Sequence, residues 1–295
     1  FIPKGMEASA ADGQMVVVEM ENWVDPSRNP EARVVEILGY PDEKGVDISA
    51  VMINNGLSIG FEDHIEAEAR SISDTLAPED IAGRLDLRNE LIFTIDPVDA
   101  KDFDDAVSLE RLETGNWKLG VHIADVSHYV NEGSDVDEEA FARATSIYMV
   151  DRVVPMLPEY LSNNLCSLKP NEDKLTYSCF MEITPELKVI DYQIATSVIC
   201  SKRRLNYQEA QELINSKNMD DIITAKLIEM NGLVRQLREQ RFEAGGLDFY
   251  TPEVKFIMDD TGFPVEIVQV KTLETHQLIE EFMLLANKTV ARHID

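Results

Sequence analysis

Five aspartates lie close together in one short segment, and their type and spacing could carry chemistry. The segment follows an apolar stretch and contains a single local cation, Lys101, beside Asp96, Asp99, Asp102, Asp104 and Asp105. Carboxylates this close repel one another, so a fold that keeps them together needs a compensating cation. Mg²⁺ and Mn²⁺ prefer such oxygen ligands. A pair of these ions can activate water and stabilise a leaving oxygen in phosphodiester hydrolysis.

Other interpretations of this segment fit less well. An EF-hand loop fails, because no register starting at Asp96, Asp99 or Asp102 supplies ligands at positions one, three and five before a glycine at position six. A prenyl-synthase-like D-D-x-x-D pattern fails at Ser108. Residues 102–104 match the D-x-D pattern of nucleotide-sugar transferases, but that pattern is too short to be specific. The structural alternative is a solvated acidic turn, and the apolar residues on both sides favour metal binding over it.

A second acidic run, residues 132–139, serves as a contrast. It surrounds Gly133-Ser134 and leads into a predicted helix. Acidic residues in the first turn of a helix interact favourably with the helix dipole. We therefore interpret this second run as structural.

The composition limits the classes of function. The 295 residues include 27 Lys and Arg against 55 Asp and Glu, for a formal net charge of -28, and 44% are hydrophobic. No apolar run approaches the ~18–20 residues of a membrane span. On charge alone, nucleic acid is the least fitting partner, because phosphates favour basic surfaces. Three widely spaced cysteines and five histidines lack zinc-site spacing, so we expect reduced thiols in a cytoplasmic protein.

The elements that must position the aspartates fall into two predicted domains of an α+β protein. Residues 1–75 hold strands over 14–24 and 31–40 and a linker helix over 61–70, which indicates a small β-barrel of the OB or cold-shock type. Residues 76–295 form a larger mixed domain, with residues 71–80 as the joint. Its predicted strands cover 90–95, 117–130, 174–184, 188–201, 253–258 and 265–270. Its predicted helices cover 137–145, 207–215, 220–244 and 274–292.

Several stretches of the second domain, in this order along the chain, resemble the catalytic domain of the ribonuclease II / ribonuclease R (RNB) family of processive 3′→5′ exoribonucleases. They are residues 86–88, 93–97, 102–106, 121–127, 154–158, 161–162, 165–168 and 278–283. Residues 245–249 resemble the ribonuclease R branch more closely. The N-terminal β segment is similar to the second cold-shock domain of the family.

This resemblance implies roles for individual residues. The metal ligands would be Asp96, Asp102, Asp104 and Asp105, holding Mg²⁺ or alternatively Mn²⁺, with Asp99 extra to the set. Asp102 and Asp104 would be catalytic together with Tyr148, which would also hold the RNA 3′ end. Phe249 would clamp the terminal bases by stacking, and Glu280 would contact the sugar of the terminal nucleotide. Base–aromatic stacking tolerates any sequence, as a general degradative enzyme requires.

The implied activity is two-metal hydrolysis of single-stranded RNA from its 3′ end to nucleoside 5′-monophosphates, by a monomer without a membrane partner. The catalytic domain of the family continues with an arginine-bearing segment and a further OB-type domain. We therefore expect this chain to be a fragment, weakly active or inactive in isolation. Two other hypotheses stay open: a non-catalytic RNA-binding protein of the RNB fold, and a metal-dependent sugar transferase using residues 102–104.

Overall fold

The computed structural model describes residues 1–295 apart from 22, 24–26, 28, 59, 248–252, 260 and 261. The chain divides into two compact units, each described here by itself. The first comprises Phe1–Asp63, Arg143–Met156 and Val254–Gln269, and the second comprises His64–Ala142, Leu157–Glu253 and Val270–Asp295. The units are thus discontinuous in sequence. The domain boundary that the sequence predicts at residue 75 stays a prediction.

The described residues form thirteen strands and seven α-helices. In chain order they are β1 (Met15–Met20), β2 (Ala32–Gly39), α1 (Val46–Asn54), α2 (Asp63–Ser71), α3 (Pro78–Ile81), β3 (Leu85–Leu87), β4 (Phe93–Asp96), β5 (Asp105–Arg111), β6 (Trp117–Ala124), α4 (Asp135–Arg143), β7 (Ile147–Tyr148), β8 (Val153–Val154), β9 (Asp173–Ile183), β10 (Val189–Cys200), β11 (Arg203–Asn206), α5 (Tyr207–Ser216), α6 (Ile222–Glu243), β12 (Glu253–Met258), β13 (Pro264–Val270) and α7 (Glu274–Ile294).

The first unit contains short antiparallel pairs. β1 pairs with β2, and β7 pairs with β8. The two predicted N-terminal strands are confirmed within a few residues. The helix α1 was not predicted, because its sequence is rich in β-branched residues. It begins after Gly45, whose φ of 76° lies in the left-handed region that glycine adopts without strain.

The second unit is built on a seven-stranded sheet with the order β11-β4-β5-β6-β9-β10-β3. Both edge strands, β11 and β3, run parallel to their neighbours, and the strands between are antiparallel. The long β9–β10 hairpin was predicted almost to the residue. β11 follows β10 in sequence but lies at the opposite edge, so it brings a distant segment beside β4.

The main core of the second unit lies on one face of this sheet. Alternate side chains of β4, β5, β6 and β9 point toward it, and the apolar faces of α5, α6 and α7 cover them. Its fully buried large side chains include Phe93, Ile95, Leu119, Met181, Ile183 and Phe282. Burying such a side chain is worth about 1.5–3 kcal/mol, so this layer fixes the position of the strands that lead to the aspartates.

The helix starts follow from local hydrogen bonding. Asn206 accepts from the Glu209 N–H while the Glu209 side chain accepts from the Asn206 N–H, which is a capping box at the start of α5. Asp221 caps α6 by accepting from the N–H of Thr224. Both helices were predicted within two residues of their observed starts.

One strand prediction in the second unit was wrong in extent. The strand predicted over residues 117–130 ends at Ala124, and Val126–His128 form a 3₁₀ turn. The chain turns because the buried Asp125 carboxylate pairs with Arg84 at 2.7 Å and also accepts from the Ser127 hydroxyl. β5 was not predicted, since polar residues interrupt its apolar alternation.

The predicted α+β class is confirmed, with strands and helices mixed along the second unit. No described helix combines the length and the apolar character needed to cross a bilayer.

Candidate active site

The acidic segment lies at one end of two neighbouring central strands. β4 ends at Asp96, β5 begins at Asp105, and these antiparallel strands are adjacent in the sheet. Residues 97–104 connect them and carry Asp102 and Asp104. A short loop between adjacent strands necessarily keeps its two ends together, so the sheet gathers these carboxylates at one place.

Two oxygen atoms of this cluster are buried without a partner. Asp96 is only 7% exposed. Its Oδ2 atom and the Oδ2 atom of Asp105 are inaccessible to water and accept no hydrogen bond from the described residues. An unsatisfied buried acceptor costs free energy, and for an ionised carboxylate the cost is larger. These two atoms are therefore ready to accept a cation or a proton.

The carboxyl groups are correspondingly hard to ionise. Burial raises the pKa of Asp96 to about 7. The neighbouring Thr94 hydroxyl opposes the rise, the charges of Asp105 and Asp104 add to it, and Arg204 opposes it. Asp104 is exposed as a whole residue, but partial withdrawal of its carboxyl group from water raises its pKa to about 6, with Asp102 and Asp105 as further causes. The pKa of Asp105 is raised to about 6 by burial. These mutual influences place the four predicted aspartates in one electrostatic cluster.

The donor chemistry of this cluster fits a hard divalent cation, because buried carboxylate oxygens without partners are the ligands that such ions prefer. Among the residues that the structure describes, however, no three acidic, histidine or cysteine side chains are already arranged to hold one ion. The cluster thus supplies suitable ligands without a finished coordination shell.

Two residues that the sequence analysis missed lie at this cluster. Arg204 of β11 donates from Nη2 to the carbonyl oxygens of Pro97 and Val98, at 2.6 and 2.9 Å, and its guanidinium lies 5.3 Å from the centre of the Phe103 ring. It therefore holds the first half of the connecting loop. The signal in the sequence was weak, since the Arg203-Arg204 pair stands about a hundred residues from the loop that it contacts.

Tyr207 is the second missed residue. It follows Asn206, which pairs with Asp96 across β11 and β4. Its ring stacks on that of His276, with centroids 3.9 Å apart and planes 14° apart. Burial raises the pKa of the Tyr207 hydroxyl to about 12, with Asp105 and Asp96 as further causes. The hydroxyl thus stays protonated near the carboxylates.

The other predicted site residues are not all in this cluster. Tyr148 belongs to the first unit, at the end of β7, and is 70% exposed. Glu280 lies on α7 in the second unit, half exposed, with a carboxylate oxygen 3.3 Å from Nη2 of Arg241. Phe249 lies outside the described residues. Asp99 is exposed on the connecting loop.

The cysteines take no part in a disulfide, as predicted. Cys166 is buried near the aspartates, and its pKa is raised to about 12 by burial and then by the charge of Asp104. A thiol with so high a pKa stays protonated, so it is a poor metal ligand and a poor nucleophile.

Comparison with known proteins agrees with this geometry. Residues 84–295 match the model of the RNB domain, and residues 1–62 match the model of a cold shock domain. Ribonuclease R of Thermotoga maritima is 44% identical over 292 residues, which cover 97% of this chain and 41% of that protein.

Two solved structures have a similar fold. Mycoplasma genitalium RNase R, in complex with ribose methylated single-stranded RNA, has a TM-score of 0.92 and 30% identity, covering all of this chain and 46% of that one. Yeast Ssd1, described as a pseudonuclease, has a TM-score of 0.71, covering 95% of this chain and 35% of that one. Its identity of 19% indicates a shared fold alone.

The chain spans less than half the length of the curated ribonuclease R relatives that it matches. The RNB match covers most of the chain, and it contains β4, β5 and all four predicted metal ligands. The chain belongs to the RNB family, with a cold shock domain ahead of its RNB domain.

Proposed function

We propose that this protein is a metal-dependent exoribonuclease that degrades single-stranded RNA processively from its 3′ end to nucleoside 5′-monophosphates. One observation carries the proposal: the Oδ2 atoms of Asp96 and Asp105 are buried without a hydrogen-bond partner among the described residues of an RNB domain. A fold maintains such an arrangement at a cost, and binding of cations would remove that cost.

The proposed ligand set is Asp96, Asp102, Asp104 and Asp105, with Mg²⁺ or Mn²⁺ as the ion. Bound divalent ions would supply an activated water and stabilise the leaving 3′ oxygen. The protein contributes the negative charge that concentrates the ions. It also contributes the adjoining ends of β4 and β5, which keep the carboxylates together. It also contributes burial, which strengthens electrostatic interactions at the site.

The raised pKa values predict how the site responds to pH. Below about pH 6, protons compete for Asp104 and Asp105, and Asp96 is already half protonated near pH 7. Metal binding requires the ionised forms. The rate at limiting metal should therefore rise with pH through this range, and saturating metal should move the rise to lower pH.

Selection of the substrate rests on groups away from the carboxylates. The proposed contacts to the RNA 3′ end are Tyr148, Phe249 and Glu280. The exposed ring of Tyr148 could stack on a base, and the half-exposed carboxylate of Glu280 could accept from a ribose hydroxyl. Contacts to the 2′-hydroxyl would distinguish RNA from DNA.

The test is cleavage of a 5′-labelled single-stranded RNA by the complete gene product in Mg²⁺. We expect shortening from the 3′ end, release of 5′-monophosphates and arrest by a chelator. A bound metal ion stabilises the transition state by several kcal/mol, and each 1.36 kcal/mol corresponds to a tenfold change in rate. We therefore expect Asp104→Asn to slow cleavage at least about 10³-fold. Asp137→Asn, from the second acidic run, is the matched control and should cleave normally. Undiminished cleavage by Asp104→Asn would refute the assignment.

The alternative is an RNA-binding protein that keeps the RNB fold without the chemistry. It is favoured by the absence of a ready-made group of three metal ligands in the described part of the chain. RNA binding by the complete protein with no metal-dependent shortening would support it. The cytoplasmic location and the monomeric state stay predictions.

A further inference from the structure

Ser167 lies directly behind the loop that carries the aspartates. It follows the helical turn Leu161–Leu165 in the second unit and is completely buried. Its hydroxyl donates to the carbonyl oxygen of Lys101 at 2.8 Å and accepts from the N–H of Phe103 at 3.1 Å. These two hydrogen bonds lie on either side of Asp102, so one side chain fixes the backbone before and after a proposed ligand.

Main-chain bonds extend this attachment. The N–H of Leu168 donates to the carbonyl oxygen of Phe103, and the N–H of Ala124 donates to that of Asp104, both at 2.9 Å. Residues 101, 103 and 104 are thus held in turn by the segment around Ser167 and by the end of β6. The second half of the connecting loop is therefore anchored too, in addition to the first half, which Arg204 holds.

The electrostatics explain why such an anchor is needed. Asp102 and Asp104 are like charges two residues apart on the loop, so they repel one another when both are ionised. An unanchored loop would relax by moving the two carboxylates apart into solvent. Hydrogen bonds from a buried residue to the loop backbone oppose that movement without occupying the carboxylate oxygens.

We propose that Ser167 is a positioning residue, which acts through the backbone of Lys101 and Phe103 to hold Asp102 and Asp104 where a divalent cation binds. The inference rests on the proposed function for its biological meaning. In physical terms, the order of the loop and its affinity for metal depend on the hydroxyl of Ser167. Removing a group that supports a metal ligand typically lowers metal affinity or activity 10–100-fold.

Ser178 provides a matched control. It is equally buried, and its hydroxyl also makes two side-chain hydrogen bonds, to Nδ1 of His122 at 2.6 Å and to the hydroxyl of Ser197. It lies on β9 in the same sheet, and neither of these two hydrogen bonds involves the aspartate loop. A merely structural role for Ser167 therefore predicts that Ser167→Ala and Ser178→Ala behave alike.

The experiment compares these two variants in the complete protein by three measurements: calorimetric titration with Mn²⁺, amide hydrogen exchange of residues 101–105, and the Mg²⁺ concentration that gives half-maximal RNA cleavage. For Ser167→Ala we expect weaker Mn²⁺ binding and a higher Mg²⁺ requirement, each by about tenfold or more, and faster exchange of the Phe103 amide. For Ser178→Ala we expect all three to stay within about twofold of the native values, with a similar loss of thermal stability.

Equal Mn²⁺ affinities in the two variants, or unchanged exchange at Phe103 in Ser167→Ala, would overturn the inference. Where Ser167→Ala does not fold, Ser167→Cys places a weaker hydrogen-bonding group at the same position. We expect it to change Mn²⁺ binding, the Mg²⁺ requirement and exchange at Phe103 in the same direction by a smaller amount. A native protein that binds Mn²⁺ but does not cleave RNA would refute the proposed function. The titration and the exchange would still decide the role of Ser167.

Discussion

The two acidic regions of the second unit contain similar side chains in different surroundings. In the first, Asp96 and Asp105 end and begin neighbouring strands, and each has a buried oxygen without a partner among the described residues. In the second, the acidic residues lie at or near the start of α4 and are exposed or half exposed. There Asp137 accepts from the N–H of Gly133, and Asp135 lies 3.9 Å from the His64 ring.

The comparison teaches that the density of carboxylates does not by itself make a metal site. In α4 the charges face water and the helix dipole, which stabilise them as they are. At the ends of β4 and β5, by contrast, the Oδ2 atoms of Asp96 and Asp105 are withdrawn from water, and the loop between these strands is anchored in both of its halves. We therefore expect a cation to bind at these strand ends rather than at α4.

Among the residues that support the loop of the first acidic region, the largest expected effect comes from removing the side chain of Arg204. Arg204→Met takes away the two hydrogen bonds to the Pro97 and Val98 carbonyls while keeping much of the side-chain volume. We expect metal-dependent cleavage to fall 10–100-fold, as for other groups behind metal ligands. Steady-state kinetics as a function of Mg²⁺ measures this change.

Arg152→Met is the control for this substitution. Arg152 also donates to a backbone carbonyl, that of Gly45, and pairs with Asp151, but it belongs to the first unit. Its loss should leave the Mg²⁺ requirement unchanged. An equal loss in both variants would mean that Arg204 acts only through general stability.

A smaller effect concerns the stability of the metal-free protein. The folded pKa of Asp96 is about 7 against an ordinary value of 3.8, so between these values the folded state binds more protons than the unfolded state. Its stability therefore falls as the pH rises. Asp96→Asn removes this penalty. We expect the variant to be more stable than the native protein by roughly 1 kcal/mol or more at about pH 8 without metal.

Thermal unfolding of both proteins with a chelator at about pH 8 and at about pH 5 measures the effect. The advantage of Asp96→Asn should shrink at the lower pH and reverse when Mg²⁺ is added. A difference in stability that does not depend on pH would show that ionisation of the Asp96 carboxyl does not destabilise the folded protein.

The smallest effect is expected in the second acidic region. Asp137→Ala loses the hydrogen bond from Gly133 and a favourable charge near the start of α4. Since such caps are worth about 0.5–2 kcal/mol, we expect the melting temperature to fall by a few degrees at most, with cleavage unchanged. A loss of cleavage would remove the distinction between the two regions.

Much of the fold was predictable from local patterns. The sequence predicted the hairpin β9–β10 and the helices α5, α6 and α7 closely. α5 and α7 have clear apolar periodicity, and α5 and α6 begin at recognisable capping residues. The helix α1 was missed because β-branched residues favour strands in the absence of tertiary context. β5 was missed because Ser108 and Glu110 face away from the main core and make the strand appear polar.

The candidate site was predictable in its ligands but not in its supports. The aspartates are adjacent in sequence, so their clustering could be read directly. Arg204 contacts a loop 106 and 107 residues away, and Ser167 contacts one 64 and 66 residues away. Such contacts depend on the order of strands in the sheet, which no local pattern specifies.

The most direct test of the central claim is calorimetric titration of the complete protein with Mn²⁺, comparing the native chain with Asp96→Asn/Asp105→Asn and with Asp135→Asn/Asp137→Asn. Each double variant removes two formal negative charges from one acidic region. We predict that the native protein and the second variant bind Mn²⁺ alike and that the first variant loses the binding. Equal binding by all three proteins would contradict the account, because the buried carboxylates would then have no special part in holding a cation.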